Sequence, residues 1–430
     1  MVRIGAGAGF AGDRIDPAVD LARRGKLDFL AFECVAERTL AYGHLARMAD
    51  PDKGYHALID RRLGAVLADC ARNKTVIVTN MGVANPRAAG RKAVELAKRM
   101  GLKLRIAVVE GDDVTHAVGA QMEGRRVVGA NAYLGIDAIL PALDHEPHVV
   151  ITGRVADPSL FLAPLVHRFG WKADDWPRLG RGTAVGHLLE CTTQVTGGYF
   201  ADPPYKTVPD IAYLGFPYAE VETDGSAVIT KLEGTGGVVR ELTVKEQLLY
   251  EVHDPRAYLT PDVTADFSTT SIAEQGKDRV RISGAGGRER PEKLKAIVGF
   301  DGGFLAEAEF SYAGPGAVGR AEIAAAIVKE RMEKIHRCGD RIRVDLIGVT
   351  ALHATAGQRS PNTEDVRLRA ATRTSDRLMA ETLLSEVESL WLSGPAGGGG
   401  YRGTISPSVT TQAIYVDRST IDLKVEVMQS

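Results

Sequence analysis

Thr75-Val76-Ile77-Val78-Thr79 is an unbroken run of β-branched residues, followed at once by Asn80-Met81-Gly82-Val83-Ala84-Asn85-Pro86. A strand with one wet face alternates apolar and polar residues. A run with no alternation fits a strand covered on both faces, as in a parallel sheet sandwiched by helices. The same texture recurs on either side. Upstream lie Val2 to Gly5 and Asp28 to Glu33 (DFLAFE); downstream lie Leu104 to Val109 (LRIAVV) and His148 to Thr152 (HVVIT).

Helical patterns separate these runs. Asp16-Pro17 starts one, with Asp as N-cap and Pro in the first turn. Ala36 to Asn73 reads as helix broken near Asp50-Pro51, and Arg91 to Met100 is stopped by Gly101. Ile136 to Leu143 is helical despite Pro141, and Asp157-Pro158-Ser159 opens another. Five strands alternating with helices predict an α/β fold with an open, doubly wound, mostly parallel sheet over residues 1–200. Residues 201–290 turn to Pro, Gly and Tyr with short β-like runs such as Ala227 to Leu232, and read as an irregular connecting segment. Residues 291–430 read as a second, α+β domain. It holds a hairpin-like stretch (Lys295 to Tyr312), a helix from Gly319 to Arg337, strands at Arg341 to Val349 and Val366 to Thr372, and a helix from Asp376 to Trp391. A strand-like run from Thr410 to Val416 closes it. Residues 393–403 form a glycine-dense loop, open to a lid over the cleft, a contact in the expected homo-oligomer or a plain flexible linker.

The chain has 430 residues, and its 53 Lys plus Arg against 55 Asp plus Glu give a formal net charge of -2. Such a balance supplies no general field for nucleic acid or an anionic membrane. The basic pairs Arg23-Arg24 and Arg61-Arg62 read as solvated faces. Cys34, Cys70, Cys191 and Cys338 are far apart with no CxxC pair, which argues against a zinc module or disulfide framework. No apolar run reaches the length of a membrane span, and no signal-peptide pattern opens the sequence, so a cytoplasmic protein is expected.

In an open α/β sheet, ligands bind beyond the carboxyl ends of the strands, so the residues there are the candidates. The first strand runs into Gly5-Ala6-Gly7-Ala8-Gly9-Phe10-Ala11-Gly12-Asp13-Arg14. Gly7, Gly9 and Gly12, with Glu33 about 20 residues on, match the dinucleotide fingerprint. However, the helix begins only near Asp16-Pro17, which leaves the loop too long for a pyrophosphate turn. No Gly-Lys-Ser/Thr comes after it, so a P-loop is excluded. There remains a loop whose amides, with Arg14, are placed to hold an anionic group.

Arg154 offers a planar fork for a carboxylate or phosphate, or else an ion pair with Asp157. Glu33 and Glu110 are candidate acid/base groups at the ends of apolar strands. Asn80 and Asn85 are placed to orient a carbonyl, with Asn85 equally suited to cap the helix at Pro86. In Gly182 to Gly198, the residues His187, Glu190 and Cys191 share one side of a helix. They are open to structural packing, a Cys–His nucleophilic pair or, with Glu33 or Glu110, a divalent metal. No metal is assigned, and the cofactor stays unknown. Tyr401, in the glycine-dense loop, joins the candidates for substrate contact.

The sequence resembles the acyclic terpene utilisation (AtuA) family in IGAGAGFAGDR (Ile4 to Arg14), TNMGVANP (Thr79 to Pro86) and ITGRVADPSL (Ile151 to Leu160). GTAVGHLLECTTQVTGGYF (Gly182 to Phe200) and SGPAGGGGYRG (Ser393 to Gly403) carry it further. The resemblance implies catabolism of carboxylic acids or their CoA thioesters, and it supplies no catalytic residues. Some relatives carry an extra small C-terminal domain, which implies a small partner subunit here. The leading expectation is therefore a lyase or hydratase acting on a branched carboxylic acid or acyl-CoA. Arg14, Arg154 and the glycine-loop amides would clamp the anion, with Glu33 or Glu110 as acid/base and His187 as second proton carrier. The alternatives are an NAD-dependent oxidoreductase and a non-catalytic partner of an acyl-CoA enzyme.

Overall fold

The computed structural model describes residues 1–350 and 363–430. The chain forms two compact units, one of residues 1–299 and 411–430 and one of residues 300–410. The segment 201–290, expected as a connector, thus lies within the first unit.

The apolar runs form β1 (Val2–Ala8), β2 (Phe29–Phe32), β3 (Val76–Thr79), β4 (Arg105–Glu110) and β5 (Val149–Ile151). They pair in parallel in the order β1-β2-β3-β5-β4. Between them run α1 (Asp16–Arg24), α2 (Glu37–Ala49), α3 (Ile59–Asn73), α4 (Pro86–Arg99) and α5 (Ile136–Leu143), with α6 (Ser159–Phe169) and α7 (Trp176–Glu190) after the last strand. Helix α3 packs against both α1 and α4, while α6 packs against both α5 and α7. Leu21, Leu30, Leu63, Val66, Ile77, Ala93, Val108 and Ile151 belong to one buried cluster. Full burial of each larger aliphatic side chain contributes about 1.5–3 kcal/mol.

The sheet is mixed rather than mostly parallel. Four strands from the segment read as irregular extend it beyond β1: β6 (Pro217–Val221), β7 (Ala227–Lys231), β8 (Ser271–Gly276) and β9 (Arg279–Ser283). They pair antiparallel in the order β8-β9-β7-β6-β1. At the other edge the C-terminal strand Lys424–Gln429 pairs antiparallel with β4. Two local expectations shift. Asp16 is the first helical residue of α1, with Ile15 at its N-cap and no side-chain cap; an acid in the first turn still suits the helix dipole. Asn85 does cap α4, accepting from the Ala88 amide at 3.3 Å, so this helix starts earlier than its apolar period.

The second unit follows the order strand Lys293–Ala313, helix Ala317–Lys334, strands Ile342–Ile347 and Asp365–Thr374, helix Arg377–Glu388, strand Gly398–Asp417. The expected hairpin over 295–312 is one long strand. Its pairing with Asp365–Thr374 is antiparallel, Phe304 opposite Thr374 through Ala313 opposite Asp365, and Ile342–Ile347 pairs on the far side. With Gly398–Asp417 also on the long strand, this is a βαββαβ sandwich. Alternation is visible here. Ala306, Ala308, Phe310, Val366 and Leu368 face the helices, while Glu307, Glu309, Arg367 and Arg369 pair on the other face. The glycine-dense loop is the beginning of Gly398–Asp417. A Cβ on Gly398 would stand 2.3 Å from the Phe310 ring, so its glycine lets the backbone lie on that aromatic.

Candidate functional site

The carboxyl ends of β2, β3 and β5 bring together Glu33, Asn80, Arg154 and Asp157. Glu33 is 6% exposed. Its Oε1 accepts from the Val35 amide at 2.7 Å and from Asn80 Nδ2 at 3.2 Å. Asn80 is turned for this by the Cys34 amide, which donates to its Oδ1 at 2.8 Å. The fully buried Arg154 guanidinium donates to the carbonyls of Val35 and Val155 and to the Asp157 carboxylate. It also lies 4.5 Å from the Tyr133 ring centroid. Burial, and then the charge of Asp157, raise the Glu33 carboxyl to about 8, against the pull of Arg154. At neutral pH the Glu33 carboxyl in this corner is therefore mostly protonated.

A buried chain of hydrogen bonds fixes the corner from behind. Asp112 Oδ2 accepts from the Arg154 amide at 2.7 Å and from Asn131 Nδ2 at 2.8 Å. Asn131 Oδ1 in turn meets His44 Nε2 at 2.7 Å. Burial raises the Asp112 carboxyl to about 6. The approach needs a glycine before Arg154, because a Cβ on Gly153 would stand 2.4 Å from an Asp112 oxygen. Asp112 lies just beyond the carboxyl end of β4, where candidates are expected, but nothing in the sequence marks Asn131 or His44.

A pocket of about 220 Å³ opens beside this corner. Its walls include Tyr133, Asp157, Pro158, Tyr258, Lys293 and Lys295. The Asp157 side chain is 37% exposed and so is the member of the cluster that reaches it. Tyr133, Tyr258 and Lys295 escape sequence reasoning because they come from outside the parallel strands. A cavity of about 260 Å³ beside α1, lined by Asp16, Tyr213 and Phe216 among others, lies away from every acid/base group named here.

His187 stands behind Tyr258, with ring centroids 5.0 Å apart, and stacks on Phe267 at 5.6 Å. Its Nδ1 is 2.8 Å from Glu190 Oε1. Burial lowers the imidazole to about 4, so it is neutral at pH 7, and pushes the Glu190 carboxyl well above the usual carboxylate range. Burial also pushes the Cys191 thiol up, which disfavours the thiolate that a nucleophile needs. Cys34, Cys70 and Cys191 are free thiols.

Other candidates lie apart. Glu110 is three strands from Glu33 along the sheet, about 14 Å at the usual spacing. Its half-exposed carboxylate pairs with Arg87 at 3.2 Å. Arg14 is exposed and donates to the Ala212 carbonyl at 2.9 Å. Tyr401, in the second unit, donates to the Leu384 carbonyl at 3.3 Å. In the glycine loop, Gly7 sits at a register shift against the Phe32 ring and Gly12 against the Phe10 ring. A Cβ on Gly9 would stand 2.7 Å from the Glu190 carbonyl.

Several of the loop's polar groups have partners within it or on neighbouring elements. Asp13 accepts from the amides of Gly9 at 2.9 Å and Arg14 at 2.8 Å, and from Thr192 Oγ1 at 2.8 Å. Arg62, expected to be solvated, is instead 0% exposed. It donates to the carbonyls of Ala11 at 3.0 Å, Asp13 at 2.7 Å and Arg14 at 3.4 Å. His56 Nε2 adds a bond to Ala11 O at 3.0 Å.

A family model described as acyclic terpene utilisation family protein AtuA matches residues 2–427. The chain belongs to the AtuA family. The match spans both units. No curated protein and no solved structure matches the chain. Among the described residues, no helix is long and apolar enough to cross a membrane.

Proposed function

We propose that this AtuA-family chain is a catabolic enzyme acting on a branched carboxylic acid or its CoA thioester, as a lyase or hydratase. The observation that carries the reading is Glu33: a buried carboxyl held near 8, beside an Arg154–Asp157 pair that faces a pocket. Addition of water across a double bond conjugated to a carbonyl needs two proton movements. A base takes a proton from the water as its oxygen bonds the β-carbon, and an acid returns one to the α-carbon. Asp157 is the pocket-facing group that exchanges protons with the substrate. Glu33 acts through it, as the neutral member that keeps one proton in the pair. Arg154 offsets the charge of the ionised member. His187, neutral and behind Tyr258, shapes the wall.

This chemistry uses no hydride donor. The dinucleotide reading loses its main support because the Gly9 and Arg14 amides already bind Asp13. The test is turnover of 3-methylcrotonate and of its CoA thioester, monitored by loss of the conjugated absorbance. Glu33→Gln is expected to abolish turnover while the far-ultraviolet circular dichroism stays that of the parent. Undiminished turnover in the folded variant contradicts the assignment.

A further inference from the structure

The anion that such a substrate carries needs a partner. Two amides of the glycine loop, Gly9 and Arg14, are already taken by Asp13, whereas the pocket offers a cation. Lys295 and Tyr133 are fixed as a unit: the Tyr133 amide donates to the Lys295 carbonyl at 2.8 Å, and Lys295 Nζ lies 5.0 Å from the Tyr133 ring centroid. The same ring carries Arg154 at 4.5 Å, so it stands between two cations. Of the three donors on the Lys295 ammonium, one is directed to Glu37 Oε1 at 3.0 Å. The other charges facing the pocket are Asp157, offset by Arg154, and Lys293, which stands 3.5 Å from the exposed Asp417. Tyr258, Leu259, Pro158, Pro261 and Pro291 supply apolar wall.

At about 220 Å³ the pocket lies below the roughly 300–1,000 Å³ typical of sites for larger ligands. Its size suits a compact acid held whole.

We propose that this pocket binds a small branched organic carboxylate, with Lys295 as its counter-ion and the Tyr133 and Tyr258 rings as walls for its hydrocarbon part. The proposal rests on the preceding reading only for the chemistry after binding. It is therefore tested by binding alone, with calorimetric titration of isovalerate, isovaleramide and isovaleryl-CoA into the full chain. Isovalerate is expected to bind and the isosteric neutral amide to bind about tenfold more weakly or not at all. Lys295→Met is expected to raise the Kd for isovalerate at least about tenfold, and Lys295→Arg to restore most of it. Unliganded melting curves identify any variant that fails to fold, and Lys295→Gln then replaces Lys295→Met. Equal affinity for acid and amide overturns the proposal, as does parental affinity in both neutral variants. So does loss of isovalerate binding in Arg14→Met, which would place the anion at the glycine loop. Isovaleryl-CoA binding with Lys295-dependent affinity well above that of isovalerate would reassign the cation to the thioester's phosphates and overturn the free-acid form. Binding as described, with no loss of turnover in Glu33→Gln, would leave this proposal standing and remove the acid/base reading instead.

Discussion

Two segments come after parallel strands on the same edge of the sheet, and they differ in what their polar groups do. The loop from Gly9 to Arg14 after β1 is closed on itself. Asp13 accepts its amides, Arg62 and His56 donate to its carbonyls, and its glycines make room for neighbouring backbone and rings. The corner from Thr152 to Asp157 after β5 has one guanidinium among carboxyl groups and a pocket beside it. Glycine density here marks close packing. A concentration of buried ionisable groups with one member at a pocket is what the proposed proton transfer rests on.

The sharpest way to break this contrast is to remove charge from each segment in turn. Asp157→Asn is expected to lower turnover per folded molecule about 10²–10⁴-fold, the usual contribution of a positioned acid/base group. Asp13→Asn is expected to weaken the fold and leave turnover per folded molecule unchanged. Equal losses in the two would erase the distinction. The next effect is on stability. Arg62→Met removes three carbonyl partners at 0% exposure and is expected to cost about 3 kcal/mol in urea unfolding. A loss below about 0.5 kcal/mol would show that the loop is held some other way.

The smallest effect has a sign that tells the segments apart. The Glu33 carboxyl is raised from 4.5 to about 8 in the fold. The stability this contributes is complete below the unfolded value and is lost as pH rises through about 8. Glu33→Gln escapes that loss. Relative to the parent it is expected to gain stability as the pH rises from 5 to 9, read from paired unfolding curves. A variant that instead loses ground as pH rises would mean that Glu33 is stabilised as the anion.

Much of this is legible in the sequence, for identifiable reasons. The five parallel strands stand out because burial on both faces demands uninterrupted apolar runs such as Val149 to Ile151. Glu33, Asn80, Arg154 and Asp157 stand out because each lies just beyond the carboxyl end of such a run. Of the antiparallel strands β7 shows as a β-like run, but β6 is hidden because it carries Glu220, which looks like a surface residue. In the structure its carboxylate is largely buried between Arg3 at 2.7 Å and Arg279 at 2.6 Å. Arg62 is hidden for the same reason: a charged pair on a helix reads as solvated unless its partners are known, and these are loop carbonyls. Tyr133, Tyr258 and Lys295 reach the pocket from segments far apart in sequence, which no local pattern encodes.

The central claim is that a neutral carboxyl is held at the end of β2 by its neighbours. Selective ¹³C labelling of glutamate carboxyls, with the Glu33 signal assigned by its absence in Glu33→Gln, measures this directly by titration. Glu33 is expected to titrate at about 8 and to move downward in Asp157→Asn, where the repelling charge is gone. A Glu33 that titrates at its ordinary value of 4.5, unmoved by that substitution, would contradict the account.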